Sequence, residues 1–151
     1  MSRTQRFVVA GGGRVGKQTA ENLADQGHDV LLIEADEDRA EALADEYLGP
    51  VIHGDATRPS ILEQADVADA DAIAALTDEP GTNLAICMEA QQYDPSIRTI
   101  ARARTGTEQE YDEVVDATLL PEYLGGDYAA DMLVGDDVRT LVYPTAELDI
   151  I

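Results

Sequence analysis

The fold is decided by residues 7–16, which read Phe-Val-Val-Ala-Gly-Gly-Gly-Arg-Val-Gly. Four consecutive apolar residues are typical of a strand buried on both faces, and three glycines then interrupt the run. From Arg14 onward, Val15, Ala20, Leu23 and Ala24 would lie on one face of a helix, and Gly27 is suited to end it. The stretch therefore predicts a strand, a tight turn and a helix over residues 14–26.

The same alternation of short apolar runs and helical patterns continues along the chain. Further strands are predicted at residues 30–33, 50–53, 71–76, 96–101 and 113–117. The second helix is predicted to begin after a cap at Asp36 and to end at about Tyr47, and the third to begin after a cap at Thr57, with Pro59 in its first turn. Further helices are predicted over residues 80–92, around residues 107–112, and from Pro121 onward.

Alternating strands and helices predict an α/β fold. Nearly continuous apolar strands are typical of a parallel sheet covered by helices on both faces, and right-handed crossovers make it doubly wound. We expect a mostly parallel six-stranded Rossmann-type sheet in the order 3-2-1-4-5-6. Residues 1–134 would form this domain and residues 135–151 a C-terminal extension, in which residues 141–143 suggest one more strand.

Composition narrows the possible functions. The chain has 151 residues, 10 Lys and Arg, 31 Asp and Glu, and a net charge of −21. Such an acidic chain is a poor candidate for binding nucleic acid or an anionic membrane surface directly. Its acidity instead suggests adaptation to a salt-rich cytoplasm, where counterions screen the self-repulsion. The one cysteine, Cys87, excludes an internal disulfide, and no Cys/His cluster suggests a metal site.

Residues 11–16 fit the pattern G-x-G-x-x-G directly after a predicted strand and at the start of a helix. In this pattern the first glycine allows the turn, the second lets a pyrophosphate approach the backbone, and the third lets helix and strand pack closely. Glu34 lies 18 residues beyond Gly16 at the end of the second strand, where a carboxylate accepts hydrogen bonds from ribose hydroxyls and repels a 2′-phosphate. The residues therefore predict a nucleotide site that disfavours NADP.

Other motifs point to weaker alternatives. Residues 11–17 also satisfy the G-x-x-x-x-G-K phosphate loop of ATPases, but Gln18 stands where Ser or Thr would hold magnesium. His53 ends the third strand and either borders the nucleotide or has a structural role. Asp55 follows that strand and either contacts adenine or forms a helix-capping turn. Cys87 is predicted to be a buried small hydrophobe, and His28 a loop residue. No nucleophile–base pair is evident, so we expect no enzyme activity.

Several sequence elements occur in the order typical of one family. They are residues 11–16, Ile33-Glu34-Ala35-Asp36 followed by Arg39, Gly54-Asp55-Ala56-Thr57, residues 74–79 (Ala-Ala-Leu-Thr-Asp-Glu) with Asn83 and Leu84, residues 100–103, and residues 112–115 before Pro121. From about Arg6 to about Leu133, the chain resembles the RCK domain, also called KTN or TrkA-N, which regulates potassium channels and transporters.

The resemblance implies a ligand sensor that binds NAD(H), ATP or ADP and changes the geometry between paired subunits. By motif position, the implied ligand contacts are Gly11, Gly13, Arg14, Val15 and Gly16 around the phosphates, Glu34 at the ribose, Asp55 and Ala56 beside adenine, Thr77 on the phosphate side and Arg102 at a terminal phosphate. The guanidinium of Arg14 beside the loop slightly favours ATP or ADP, with NAD(H) close behind.

The resemblance also implies partners. We expect a homodimer or higher homo-oligomer, with the helix from Pro121 as the candidate contact, and a membrane potassium transporter or channel as the regulated subunit. The chain would then be cytoplasmic and reach the membrane only through that partner. Family members often carry a second ligand-binding domain, whereas about 18 residues follow Leu133 here, so the chain is either a stand-alone domain or a fragment. The alternatives are a sensor domain of another effector, such as a phosphoesterase, and a fragment of an NAD-dependent oxidoreductase.

Overall fold

The computed structural model describes residues 3–135. The strands are β1 (Arg6–Ala10), β2 (Asp29–Glu34), β3 (Val51–His53), β4 (Ala72–Ala75), β5 (Arg98–Arg102) and β6 (Ala117–Leu119). The α-helices are α1 (Arg14–Asp25), α2 (Glu37–Ala44), α3 (Pro59–Gln64), α4 (Pro80–Tyr93) and α5 (Pro121–Val134). Short 3-10 turns lie at Val67–Asp69 and Glu108–Glu110.

The six strands form one parallel sheet in the order β3-β2-β1-β4-β5-β6. This order confirms the predicted fold class. Ala10 at the end of β1 pairs with Ile33 on β2 and with Ala75 on β4, so the carboxyl ends of the central strands lie level with one another. The strand order reverses between β1 and β4, and ligands bind beside such reversals in parallel sheets.

Both faces of the sheet are buried, as the continuous apolar strands predict. Val8 and Ile73 pack on one face against Ile86 of α4, whereas Val9 packs on the other with Leu32. All five of these side chains are fully buried. This two-sided core fixes the strand ends that carry the candidate site.

The structure corrects four of the predicted elements. The last strand begins at Ala117 and not at Glu113, because the amides of Val114 and Val115 donate to Tyr111 in a turn. Thr57 does not cap α3, since its amide and hydroxyl both bind Asp55; the cap position is Arg58.

The helix predicted around residues 107–112 is only the 3-10 turn Glu108–Glu110. The second helix ends at Ala44, before Tyr47, whose positive φ of 54° is incompatible with a continuing helix. The predicted cap at Asp36 is confirmed, because its carboxylate accepts from the amide of Arg39 at 2.8 Å.

The chain divides into two compact units, of which the first ends at Leu119 and the second begins at Leu120. The second contains α5, which begins at Pro121 as predicted and has no buried residue. Residues 141–143, where a further strand was predicted, lie outside the described residues. In the part of the chain that the structure describes, every helix is too short or too polar to cross a bilayer.

Candidate functional site

A cleft of about 410 Å³ opens at the carboxyl ends of β1, β2, β3 and β4. Its size is within the range of small-molecule sites, roughly 300–1,000 Å³. Six of the ten predicted site residues line it: Gly11, Gly13, Glu34, Asp55, Ala56 and Thr77. Arg14, Val15 and Gly16 form the adjoining first turn of α1, whereas Arg102 ends β5 and does not line the cleft.

The turn between β1 and α1 requires glycine at two positions. Gly11 has a φ of +101°, and a Cβ there would lie 2.8 Å from the backbone nitrogen of Thr77. A Cβ on Gly16 would collide with the carbonyl oxygen of Gly11. The first and third glycines of the motif therefore keep the helix close to the strand.

Gly13 has a different role, because a Cβ there would meet nothing within 4 Å. Its backbone is extended, with φ −70° and ψ −162°, and it lines the cleft. The helix that follows begins without a side-chain cap, and its first internal bond is donated by Lys17 to Gly13. The amides of the first turn are thus available to an anion, whose charge the helix dipole favours. The space and the donors fit a phosphate group.

Glu34 is oriented by the backbone around it. One carboxylate oxygen accepts from the amide of Gly12 at 2.7 Å, and the other accepts from the amide of Asp36 at 2.8 Å. Glu34 is only 5% exposed, and these two hydrogen bonds satisfy its buried carboxylate. Each oxygen keeps further accepting capacity, so the carboxylate can also accept from sugar hydroxyls.

Asp55 and Ala56 form the wall beyond β3. The carboxylate of Asp55 accepts from the hydroxyl of Thr57 at 2.7 Å and from its amide at 2.9 Å, and these bonds lower the pKa of Asp55. Asp55 therefore both closes the turn and lines the cleft as a charged group. His53 bonds the carbonyl of Ala35 at 3.1 Å and does not line the cleft.

Thr77 is held by a residue whose role sequence reasoning missed. Asn83 of α4 is fully buried, and its side-chain oxygen accepts from the amide of Thr77 at 2.9 Å and from the hydroxyl at 2.6 Å. Its side-chain nitrogen donates to the carbonyls of Thr77 and Arg102. Asn83 thus ties the loop after β4 to the end of β5. The available signal was a lone amide on the otherwise apolar face of a predicted helix.

The predicted phosphate ligand Arg102 has another contact. A guanidinium nitrogen lies 3.3 Å from a carboxylate oxygen of Asp78, which does line the cleft. Four more polar residues line the cleft that sequence reasoning did not assign: Arg39, Asp78, Glu79 and Thr82. Asp78 and Glu79 follow the end of β4, a position that could have indicated them, whereas Arg39 and Thr82 lie in the first turns of α2 and α4.

Three other residues of the motifs considered above do not line the cleft: Cys87, His28 and Lys17. Cys87 is buried, which raises the pKa of its thiol to about 12 and keeps it protonated. His28 accepts from the amide of Gln5 at 3.0 Å, and Lys17 lies 3.6 Å from Glu46. Within residues 3–135, no group of three or more His, Cys, Asp or Glu is arranged to hold a metal.

The chain was compared with known proteins. A family model described as "TrkA-N domain" matches residues 7–120. A curated relative, the Trk system potassium uptake protein TrkA homolog of Pyrococcus abyssi, is 34% identical over an alignment that covers 96% of this chain and 67% of that protein.

Solved structures share the fold. The TrkA-N domain of the inner membrane protein ybaL from Escherichia coli superposes with a TM-score of 0.77 at 21% identity, covering 88% of this chain and 99% of that one. The Kef CTD of Shewanella denitrificans in an AMP-bound form gives 0.73 at 24% identity, covering 89% and 85%. A GsuK channel bound to NAD gives 0.69 at 18% identity, covering 84% of this chain and 23% of that one.

Proposed function

The chain belongs to the TrkA-N domain family, and on that premise we propose that it is a regulatory nucleotide-binding domain that controls potassium transport across a membrane. One observation supports the proposal that the domain binds a nucleotide. Open space at Gly13 faces the uncapped start of α1, on the cleft that Glu34 also lines. A diphosphate and a ribose fit that combination of amide donors and carboxylate acceptor.

The proposed ligands are NAD(H) and the adenine nucleotides ATP and ADP. Solved structures of the same fold carry AMP or NAD, which supports an adenine nucleotide here. In this proposal the first-turn amides bind phosphates, Glu34 binds the ribose, and Asp55 and Ala56 border the base. Thr77 closes the phosphate side, and Arg102 reaches a terminal phosphate when it leaves Asp78.

The proposed role in potassium transport rests on similarity to curated proteins. The relative from Pyrococcus abyssi is named for potassium uptake. We propose that the output here is likewise a potassium transporter or channel, which the chain contacts from the cytoplasmic side. This is a regulatory role and not a catalytic one. A nucleotide would act by binding two arrangements of the assembly with different affinity, since only differential affinity shifts such an equilibrium.

The proposed assembly is a homodimer or higher homo-oligomer that forms through α5. Tyr123, Leu124 and Met132 of this helix are each more than half exposed, and Leu133 is 89% exposed. Four large apolar side chains on one helix are a surface that a second copy would cover.

Potassium uptake tests the regulatory proposal. Deleting the gene should change the uptake of rubidium ion as a potassium tracer, and the wild-type chain should restore it. Gly13→Ala should fail to restore it, because the methyl group occupies the phosphate space. Gly81→Ala is the matched control, since a Cβ there also meets nothing within 4 Å but lies outside the cleft lining. Unchanged uptake in the deletion strain would refute the proposal.

A further inference from the structure

Arg39 is the basic residue that lines the cleft, and the site described so far gives it no role. It lies in the first turn of α2, where its amide donates to the carboxylate of Asp36 at 2.8 Å. The backbone of Arg39 is therefore fixed by the helix cap. Its side chain is 50% exposed and extends along the wall of the cleft.

The guanidinium of Arg39 is only loosely held. Its nearest charged contact is Glu34, with 3.7 Å between Nη1 and Oε1, which is beyond hydrogen-bond distance. Glu34 already has two backbone amide donors, so it does not depend on Arg39. Among the residues that the structure describes, none forms a hydrogen bond with the Arg39 guanidinium. The side chain can thus turn toward a ligand without breaking a strong contact.

The base of a bound nucleotide would lie on the Arg39 side of the cleft. Phosphates at Gly13 and a ribose at Glu34 direct the base toward the loops after β2 and β3, where Ala35, Asp55 and Ala56 line the cleft. No aromatic side chain is among the described residues that line it. Ala35 and Ala56 supply only small apolar contacts at this end of the cleft, so the planar guanidinium of Arg39 can cover a face of a purine there.

We infer, on the basis of the proposed nucleotide site, that Arg39 stacks its planar guanidinium on the face of the adenine ring and selects ligands that carry the base. The ribose hydroxyls take over the contact with Glu34 that the guanidinium makes in the free cleft. Arginine stacks on flat rings through its delocalised plane, whereas the ammonium of lysine has the same charge and no plane. Arg39 is thus a specificity residue for the base, acting beside the phosphate and ribose contacts.

Substitution by lysine separates stacking from charge. The full-length wild-type chain and Arg39→Lys are each titrated with ADP and with ribose 5-phosphate, which has no base. We expect Arg39→Lys to weaken ADP binding by about fivefold to tenfold and to leave ribose 5-phosphate unchanged. The ratio should persist from about 0.1 M to about 2 M KCl, because salt screens exposed charges and not stacking. Arg98→Lys is the matched control, because Arg98 begins β5 at the amino ends of the strands, whereas the cleft lies at their carboxyl ends; it should bind both ligands as wild type does.

Four results would overturn the assignment while the wild-type chain still binds ADP. They are equal ADP affinity of Arg39→Lys and wild type, an equal loss for both ligands, a loss that disappears in concentrated KCl, and an equal loss in Arg98→Lys. Failure of the wild-type chain to bind ADP or NAD would refute the nucleotide site itself, which is a separate outcome.

Discussion

At the scale of single residues, Gly11 should contribute to stability through two separable effects. Gly11→Ala places a Cβ at a φ of +101° and 2.8 Å from the backbone of Thr77. We expect a loss of about 2–4 kcal/mol in the free energy of unfolding, measured by urea denaturation. Gly27→Ala is the control, because Gly27 has a φ of +86° but open space around it, so it reports strain alone. Equal losses in the two variants would show that the contact with Thr77 is not tight.

Asp55 should titrate differently when its hydroxyl partner is removed. The hydrogen bonds from Thr57 lower the pKa of Asp55, so Thr57→Val should raise that pKa toward its ordinary value. A lowered pKa means that the ionised form is favoured in the folded protein. Its contribution to stability is complete above the ordinary pKa and is lost as the pH falls through the lowered one. Carboxyl NMR titration measures the shift, and an unchanged pKa in Thr57→Val would contradict the geometry.

At the scale of elements, loss of Asn83 should destabilise the protein more than loss of Gln91, another hydrogen-bonding side chain of α4. Asn83→Leu removes four hydrogen bonds and leaves the amide of Thr77 and the carbonyl of Arg102 without this partner. We expect a destabilisation of about 2–4 kcal/mol in urea denaturation. Gln91→Leu on the same helix is the control, because Gln91 makes one bond, to the carbonyl of Val114 at 2.7 Å. A smaller effect at Asn83 than at Gln91 would contradict the account.

The elements also show what sequence reasoning can predict. The parallel sheet followed from continuous apolar runs, because strands buried on both faces are typical of parallel sheets. The order of the strands followed from the fit of six alternating strands to the nucleotide-binding fold. The start of β6 was predicted wrongly, because the turn around Tyr111 and Val114 depends on backbone hydrogen bonds that the spacing of apolar residues does not indicate. Thr57 has the right chemistry for a helix cap, but its hydroxyl is already bonded to Asp55.

Some residues of the candidate site could also be predicted from the sequence, and others could not. Residues that act through the backbone, such as Gly11 and Gly13, were accessible from a local motif and its strand–helix context. Asn83 was not, because one of its partners, the carbonyl of Arg102, lies 19 residues further along the chain and on another strand. Arg39 lies only five residues after Glu34, but the glycine motif does not indicate that its side chain lines the cleft.

At the scale of the whole molecule, the net charge of −21 should make stability depend on salt. Self-repulsion destabilises the compact state, and counterions reduce it. We expect the free energy of unfolding to rise with the KCl concentration. Most of the gain should be reached by about 1 M, because the screening length at that concentration is already ~3 Å. Denaturation curves across a KCl series measure this. Equal stability at low and multimolar KCl would refute adaptation to a salt-rich cytoplasm.

A phosphate site at the start of α1 is tested most directly by calorimetric titration of the 151-residue chain, in concentrated KCl, with ADP, ATP, NAD and NADH. We expect saturable one-site binding of at least one of them to the wild-type chain. We also expect at least about tenfold weaker binding to Gly13→Ala, whose extended backbone accepts alanine without strain. Gly81→Ala should bind as wild type does. Absence of binding to the wild-type chain, or full affinity in Gly13→Ala, would contradict a phosphate site at the start of α1.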